Sequence, residues 1–144
     1  MSSNRPAWKR LLIETMTAAS ELISEDIRKD FLVIGGAALA RYGSPRNTQD
    51  VDIAITPQTL GVFWDRAESD PRFSMHPDGR WVYTCQGTGV KGVAVEIEFL
   101  RIGGEFVPKL RGMTKFDSIW IASLPDIAIM KARSEEHTSE LQSP

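Results

Sequence analysis

The chain has 144 residues, of which 42% are hydrophobic and 25% charged, enough for one globular domain and too few for two. Lys plus Arg number 17 and Asp plus Glu 19, a formal balance of -2 that lacks the basic excess of a dedicated nucleic-acid binder. No apolar run reaches the roughly 18 residues of a membrane span, no secretory leader follows Met1, and the lone Cys85 rules out an internal disulfide or a cysteine metal cluster.

The composition therefore predicts a soluble, cytoplasmic protein without a membrane partner, with Cys85 as an inert, buried thiol. Leu12, Met16, Ala19, Ile23 and Ile27 recur at helical spacing, so residues 8 to 28 are expected to form one amphipathic helix. The wholly apolar run Phe31-Leu-Val-Ile34 reads as a buried strand entering a tight turn at Gly35-Gly36. Residues 37 to 42 then favour a short helix closed by Gly43, and Ser44 to Asn47 a loop. Asp50-Val-Asp-Ile-Ala-Ile55 alternates before turning apolar, which predicts a second strand with both aspartates on one face.

Thr56 is placed to cap a helix that Pro57 begins and that runs to about Ser69. Residues 72 to 84 read as a hairpin around Asp78-Gly79, and Val93 to Leu100 as a strand carrying Glu96 and Glu98 on one face. Ser118 to Ala122 is expected to be the last strand, followed by a helix from Ser123 to Ala132. This order predicts an α/β (α+β) domain in which a mixed sheet is packed by helices.

Three features converge on one chemistry. Two carboxylates two residues apart on a strand lie roughly 6 to 7 Å apart at the Cα atoms, within reach of one or two hard divalent cations. Without a cation they repel. A third carboxylate from a later strand completes an oxygen-rich set of the kind Mg²⁺ takes, leaving positions for water and substrate phosphate. A turn without Cβ atoms, as at Gly35-Gly36, lets backbone N-H groups approach a phosphate closely.

Val33-Ile-Gly-Gly-Ala37, then 13 residues from Gly36 to Asp50, then Asp50-Val-Asp-Ile53 and later Glu96-Ile-Glu-Phe-Leu100 resemble the nucleotidyltransferase superfamily that shares its catalytic domain with DNA polymerase β. More narrowly, Arg46-Asn-Thr-Gln-Asp-Val-Asp52 is similar to the Arg-x-Thr-x-Asp-Ile-Asp run of small nucleotidyltransferases grouped with the AbiEii toxins. Leu124 to Lys131 likewise resembles the helix that follows their catalytic sheet. The resemblance implies a polymerase β-like nucleotidyltransferase core and a reaction that moves a nucleoside monophosphate from an NTP, ATP among them, to a hydroxyl with release of pyrophosphate. It implies that Asp50 and Asp52 hold Mg²⁺ or Mn²⁺, that Gly35 and Gly36 contact the nucleotide phosphates, and that a third carboxylate acts on the attacking hydroxyl. Glu98 is preferred to Glu96 in that third place, because Glu-Phe-Leu resembles the ending seen in relatives. The acceptor, whether a protein side chain, a tRNA end or a small molecule, is not selected by the sequence, although the AbiEii likeness leans towards a macromolecule.

Other residues carry two readings each. Arg46, beside Thr48, either binds the triphosphate or pairs with Asp50. Lys131 is a solvated helix lysine or a point charge for the nucleotide. Arg80 and Trp81 pack across the hairpin or stack on a base. His76 reads as a turn residue, and Trp8, Trp64 and Trp120 as core. For the whole domain, the alternatives to a transferase are a non-catalytic nucleotide-binding or interaction module on the same fold, and a glycosyltransferase using its Asp-x-Asp. The upstream Gly-Gly turn and the short chain disfavour the latter.

Residues Arg133 to Ser143 resemble, residue for residue, the translation of a common short-read sequencing adapter. The expectation is a single domain over 1-132, truncated at its C-terminus, with 133-144 an artefact. Without Arg133, Glu135, Glu136 and Glu140, the domain carries 16 basic and 16 acidic residues and is neutral.

Overall fold

In the computed structural model, which describes residues 7–44, 49–104, 107, 110 and 112–132, the apolar run Phe31–Ile34 forms β1 with all four residues buried. Arg46, Thr48 and the segment 133–144 lie outside the described residues. The order is α1 (Ala7–Glu21), a 3-10 turn (Glu25–Asp30), β1, α2 (Gly35–Arg41), β2 (Val51–Ile55), α3 (Pro57–Glu68), β3 (Phe73–Met75), β4 (Trp81–Thr84), β5 (Ala94–Arg101), β6 (Met113–Phe116) and β7 (Ile119–Ala122). Residues 124–132 are helical and are called α4. No helix among the described residues is long and apolar enough to cross a membrane.

The seven strands make one mixed sheet in the order β3-β4-β5-β2-β1-β7-β6. Both the β2–β5 and β1–β7 pairs are parallel, and β1 runs antiparallel to β2. Ile34, Asp52 and Glu98 therefore fall in one row across three adjacent strands. Alternation along each strand turns Phe31, Phe99 and Trp81 to the other face. There the Phe63 ring of α3 meets Phe99 at 4.8 Å, Phe73 and Trp81 at 5.8 Å and Phe31 at 5.9 Å between centroids. Burying one such ring stabilises the fold by about 2 to 3 kcal/mol, so this aromatic knot fixes α3 on the sheet and leaves the carboxylates on the opposite side.

Several expectations need correction. The single helix over 8 to 28 is two elements, because Leu22 and Ile23 bond back to Ala19 and Ser20 and tighten the last turn of α1. Arg28 Nε then donates to Ser20 O at 3.0 Å, as a second bond to that carbonyl, and to Ile23 O at 2.9 Å, which caps the helix end. The apolar spacing survives the break since Ile23 still points into the core. Gly35 and Gly36 form the first turn of α2 rather than a separate turn before it. A short edge strand, β6, was not anticipated. It pairs with β7 across a turn at Asp117, which sits at φ 55, a left-handed conformation Asp tolerates better than most residues.

Elsewhere the local chemistry acts as expected. Thr56 accepts from Thr59 N at 3.3 Å, with Pro57 in the first turn of α3. At the hairpin, His76 N donates to Arg80 O and Gly79 takes φ 90. Trp81 is buried, whereas Trp64 is 37% exposed and only leans edge-on against Trp81, so it is not a core residue; Trp8 and Trp120 are half-buried.

Candidate active site

Asp52 lies second in β2, half-buried, and its direct register partner on the parallel strand β5 is Glu98, which is exposed. Asp50 precedes the strand and is exposed. Burial pushes the Asp52 carboxyl up to about 6, and the negative charges of Glu98 and then Asp50 add to the rise. Among the described residues no cation offsets that rise. A site that concentrates carboxylates and leaves one partly desolvated favours a hard cation or a proton.

Gly35 completes the geometry. It directly follows β1 at φ +66, and a Cβ there would stand 2.6 Å from Asp52 Oδ2. Any side chain would thus be both strained and in collision with the carboxylate, so two separate requirements converge on glycine. Since β1 runs antiparallel to β2, the end of β1 delivers the start of α2 to the end of β2 that bears Asp52.

Glu96 and Glu98 have different surroundings. Glu96 is paired across the sheet with Val82, and Arg80 Nη1 reaches Glu96 Oε2 at 3.2 Å. The bond to Glu96 raises the Arg80 guanidinium further above its ordinary range, with Asp78 and Glu98 contributing through charge. Glu98 has no hydrogen-bonded basic partner among the described residues and faces Asp52. Arg80, read from sequence mainly as a packing residue, instead stands at the edge of the carboxylate row. The signal was present in the register, because antiparallel pairing of β4 and β5 carries Arg80 alongside the two glutamates.

Other candidates are not drawn in. Lys131 is exposed on α4, and no ion pair joins it to Asp50, Asp52 or Glu98 among the described residues. Cys85 is fully buried, its thiol pushed up by burial and by the Glu14 charge, which suits an inert residue. His76 is an exposed turn residue. Among the described residues no three His, Cys, Asp or Glu side chains converge closely enough to hold a metal ion by themselves. In donor type and charge the carboxylate row still suits a hard divalent ion, with further ligands supplied by water and a bound phosphate.

No protein-family model matches the chain, and no curated protein matches it. Among solved structures it is similar to an antigenic nucleotidyltransferase-like protein from Paracoccidioides brasiliensis, with a TM-score of 0.53 and 18% sequence identity, over 82% of this chain and 75% of that one. At that identity the likeness concerns the fold alone, which in this chain is a mixed sheet of seven strands with helices against it.

Proposed function

We propose that the protein is a metal-dependent nucleotidyltransferase that moves a nucleoside monophosphate from an NTP to a hydroxyl, forming an oxygen-to-α-phosphorus bond and breaking the bridge to the departing pyrophosphate. The observation that supports it best is the level pairing of Asp52 with Glu98 beside Gly35. Asp50 and Asp52 are the residues that would hold Mg²⁺ or Mn²⁺, which when bound neutralises phosphate charge and acidifies the acceptor hydroxyl. Gly35 and Gly36 give the triphosphate an approach to backbone N-H groups free of Cβ atoms. Glu98 would take the proton of the attacking hydroxyl, a role supported by its exposure and its register with Asp52. Arg80 occupies Glu96 and so separates it from that role.

A second reading, a nucleotide-binding module without transfer, is favoured by the absence of three converging ligands among the described residues. Thermal melting decides the common ground. Mg²⁺ with an NTP should raise the melting temperature, and Mg²⁺ alone should do so only slightly. Unchanged melting with all four NTPs contradicts both readings. Where binding is found, transfer of labelled α-phosphate to any acceptor, including the protein itself, supports the enzyme, and its absence with cell extract as acceptor supports the module.

A further inference from the structure

The loop joining β4 to β5, residues 85–93, is glycine-rich and lies directly on α1. Glu14 of that helix accepts from Gln86 N at 2.6 Å, Gly87 N at 2.9 Å and Tyr83 Oη at 2.7 Å. A Cβ at Gly87 would come within 2.6 Å of Glu14 Oε1. One turn earlier on the same helix, the Arg10 guanidinium lies flat against Gly89, where a Cβ would sit 3.4 to 3.8 Å from its terminal atoms. Gly89 has φ +84 and Gly92 φ +86, so the loop backbone curls in a way that favours glycine.

The backbone donors of this loop can be accounted for one by one. Gln86 and Gly87 donate to Glu14, and Cys85, Val90, Gly92 and Val93 close bonds within the loop. The N-H groups of Thr88, Gly89 and Lys91 have no acceptor among the described residues, and all three residues are exposed. Arg10 Nε is buried and has no partner among the described residues. Glu14, four residues further along the same helix, is already engaged by three donors. The terminal nitrogens of the Arg10 guanidinium, beside Gly89, present a fork that matches the oxygens of a phosphate.

We propose that Arg10, Lys91 and the free N-H groups of Thr88 and Gly89 form a site for a phosphate group, separate from the carboxylate row. The ligand is a phosphoryl oxyanion on a nucleotide or on a nucleic-acid backbone. β2 and β5 are parallel with Val51 beside Ile97, so the loop meets the sheet at the edge where Asp50 enters β2. A substrate carrying several phosphates has a second foothold at the same end of these two strands. The site stands on its own donors and does not depend on nucleotidyl transfer.

The test uses the full chain in EDTA, which keeps a metal-dependent site silent, and inorganic pyrophosphate as the probe. Nitrogen-proton NMR spectra should show saturable shifts of the Thr88 and Gly89 amides and of Arg10 Nε-H. Arg10→Met should weaken binding at least tenfold while the Gly87 amide, held by Glu14, keeps its position; Lys91→Ala, an exposed change that leaves packing alone, should weaken it severalfold. Asp52→Asn should bind pyrophosphate as the wild type does, even if transfer proves absent. ATP and a short oligoribonucleotide form two further arms, and the one that shifts these resonances at lower concentration identifies the source of the phosphate. Absence of shifts in this loop, shifts confined to Gly35 and Gly36, or shifts undiminished in both variants would overturn the proposal.

Discussion

Asp52 and Glu98 stand side by side on two parallel strands, one half-buried and the other exposed, and burial first, with the charge of Glu98 added to it, holds the Asp52 carboxyl at about 6. This pairing makes the site electrostatically costly to the empty protein. A carboxyl raised from 3.8 to about 6 on folding binds its proton more tightly in the folded state, so stability is fullest below pH 3.8 and is lost as pH rises through about 6. The loss amounts to about 3 kcal/mol.

Asp52→Asn, a neutral isostere of the protonated acid, should therefore stabilise the metal-free protein at pH 8, raising its melting temperature by several degrees. At pH 4 the difference should shrink towards zero. Melting curves at the two pH values without divalent ions check this, and an Asn variant less stable than wild type at pH 8 contradicts it.

Gly35→Ala places a Cβ 2.6 Å from Asp52 Oδ2 on a left-handed backbone. The conformation alone costs roughly 1 to 2 kcal/mol, and the collision must displace the carboxylate. Gly43→Ala has a similar φ sign, at +106, but open space around it. Denaturant unfolding should show Gly35→Ala as the more destabilising change, and nucleotide binding should be lost only there. Equal losses at the two positions would show that the contact with Asp52 contributes nothing.

Much of this was legible because short-range rules decided it. The apolar run 31–34, the Thr56-Pro57 cap and the Asp78-Gly79 hairpin each follow from local chemistry, and each forms where expected. The break after Glu21 was not legible, since Ile23 and Ile27 keep helical spacing and only Arg28 bonding back onto α1 closes it. β6 is not legible in the sequence because its residues are mostly exposed and its strand character comes from pairing with β7. At the site, spacing alone indicated the paired aspartates, but choosing between Glu96 and Glu98 needed the register of β2 on β5 and the reach of Arg80. Glu14 gave no signal at all, because its partners lie about seventy positions away, on β4 and the loop after it, and are mainly backbone groups.

Burial alone would raise the Glu14 carboxyl, but the bonds from Tyr83, Gln86 and Gly87 outweigh it and hold the group below its ordinary value. Glu14→Gln keeps an oxygen acceptor yet loses the charge and places an amide against donors, at a cost of about 2 kcal/mol. Because the folded value is depressed, the contribution is present above pH 4.5 and fades as pH falls through the lower folded value. Wild type and variant should therefore differ in urea midpoint at pH 7 and converge in strong acid. A constant gap across that range would place the effect in packing rather than charge.

The most direct test of the central claim compares Glu96→Gln with Glu98→Gln, each assayed for Mg²⁺-NTP binding by thermal shift and for transfer of labelled α-phosphate. Glu98→Gln should bind nucleotide nearly as wild type does and lose transfer by at least a hundredfold, as expected for a group that takes a proton. Glu96→Gln, whose carboxylate is occupied by Arg80, should leave transfer within a few-fold of wild type. The reverse order, or transfer intact in both variants while Asp52→Asn abolishes it, would contradict the pairing of Asp52 with Glu98 as the catalytic arrangement.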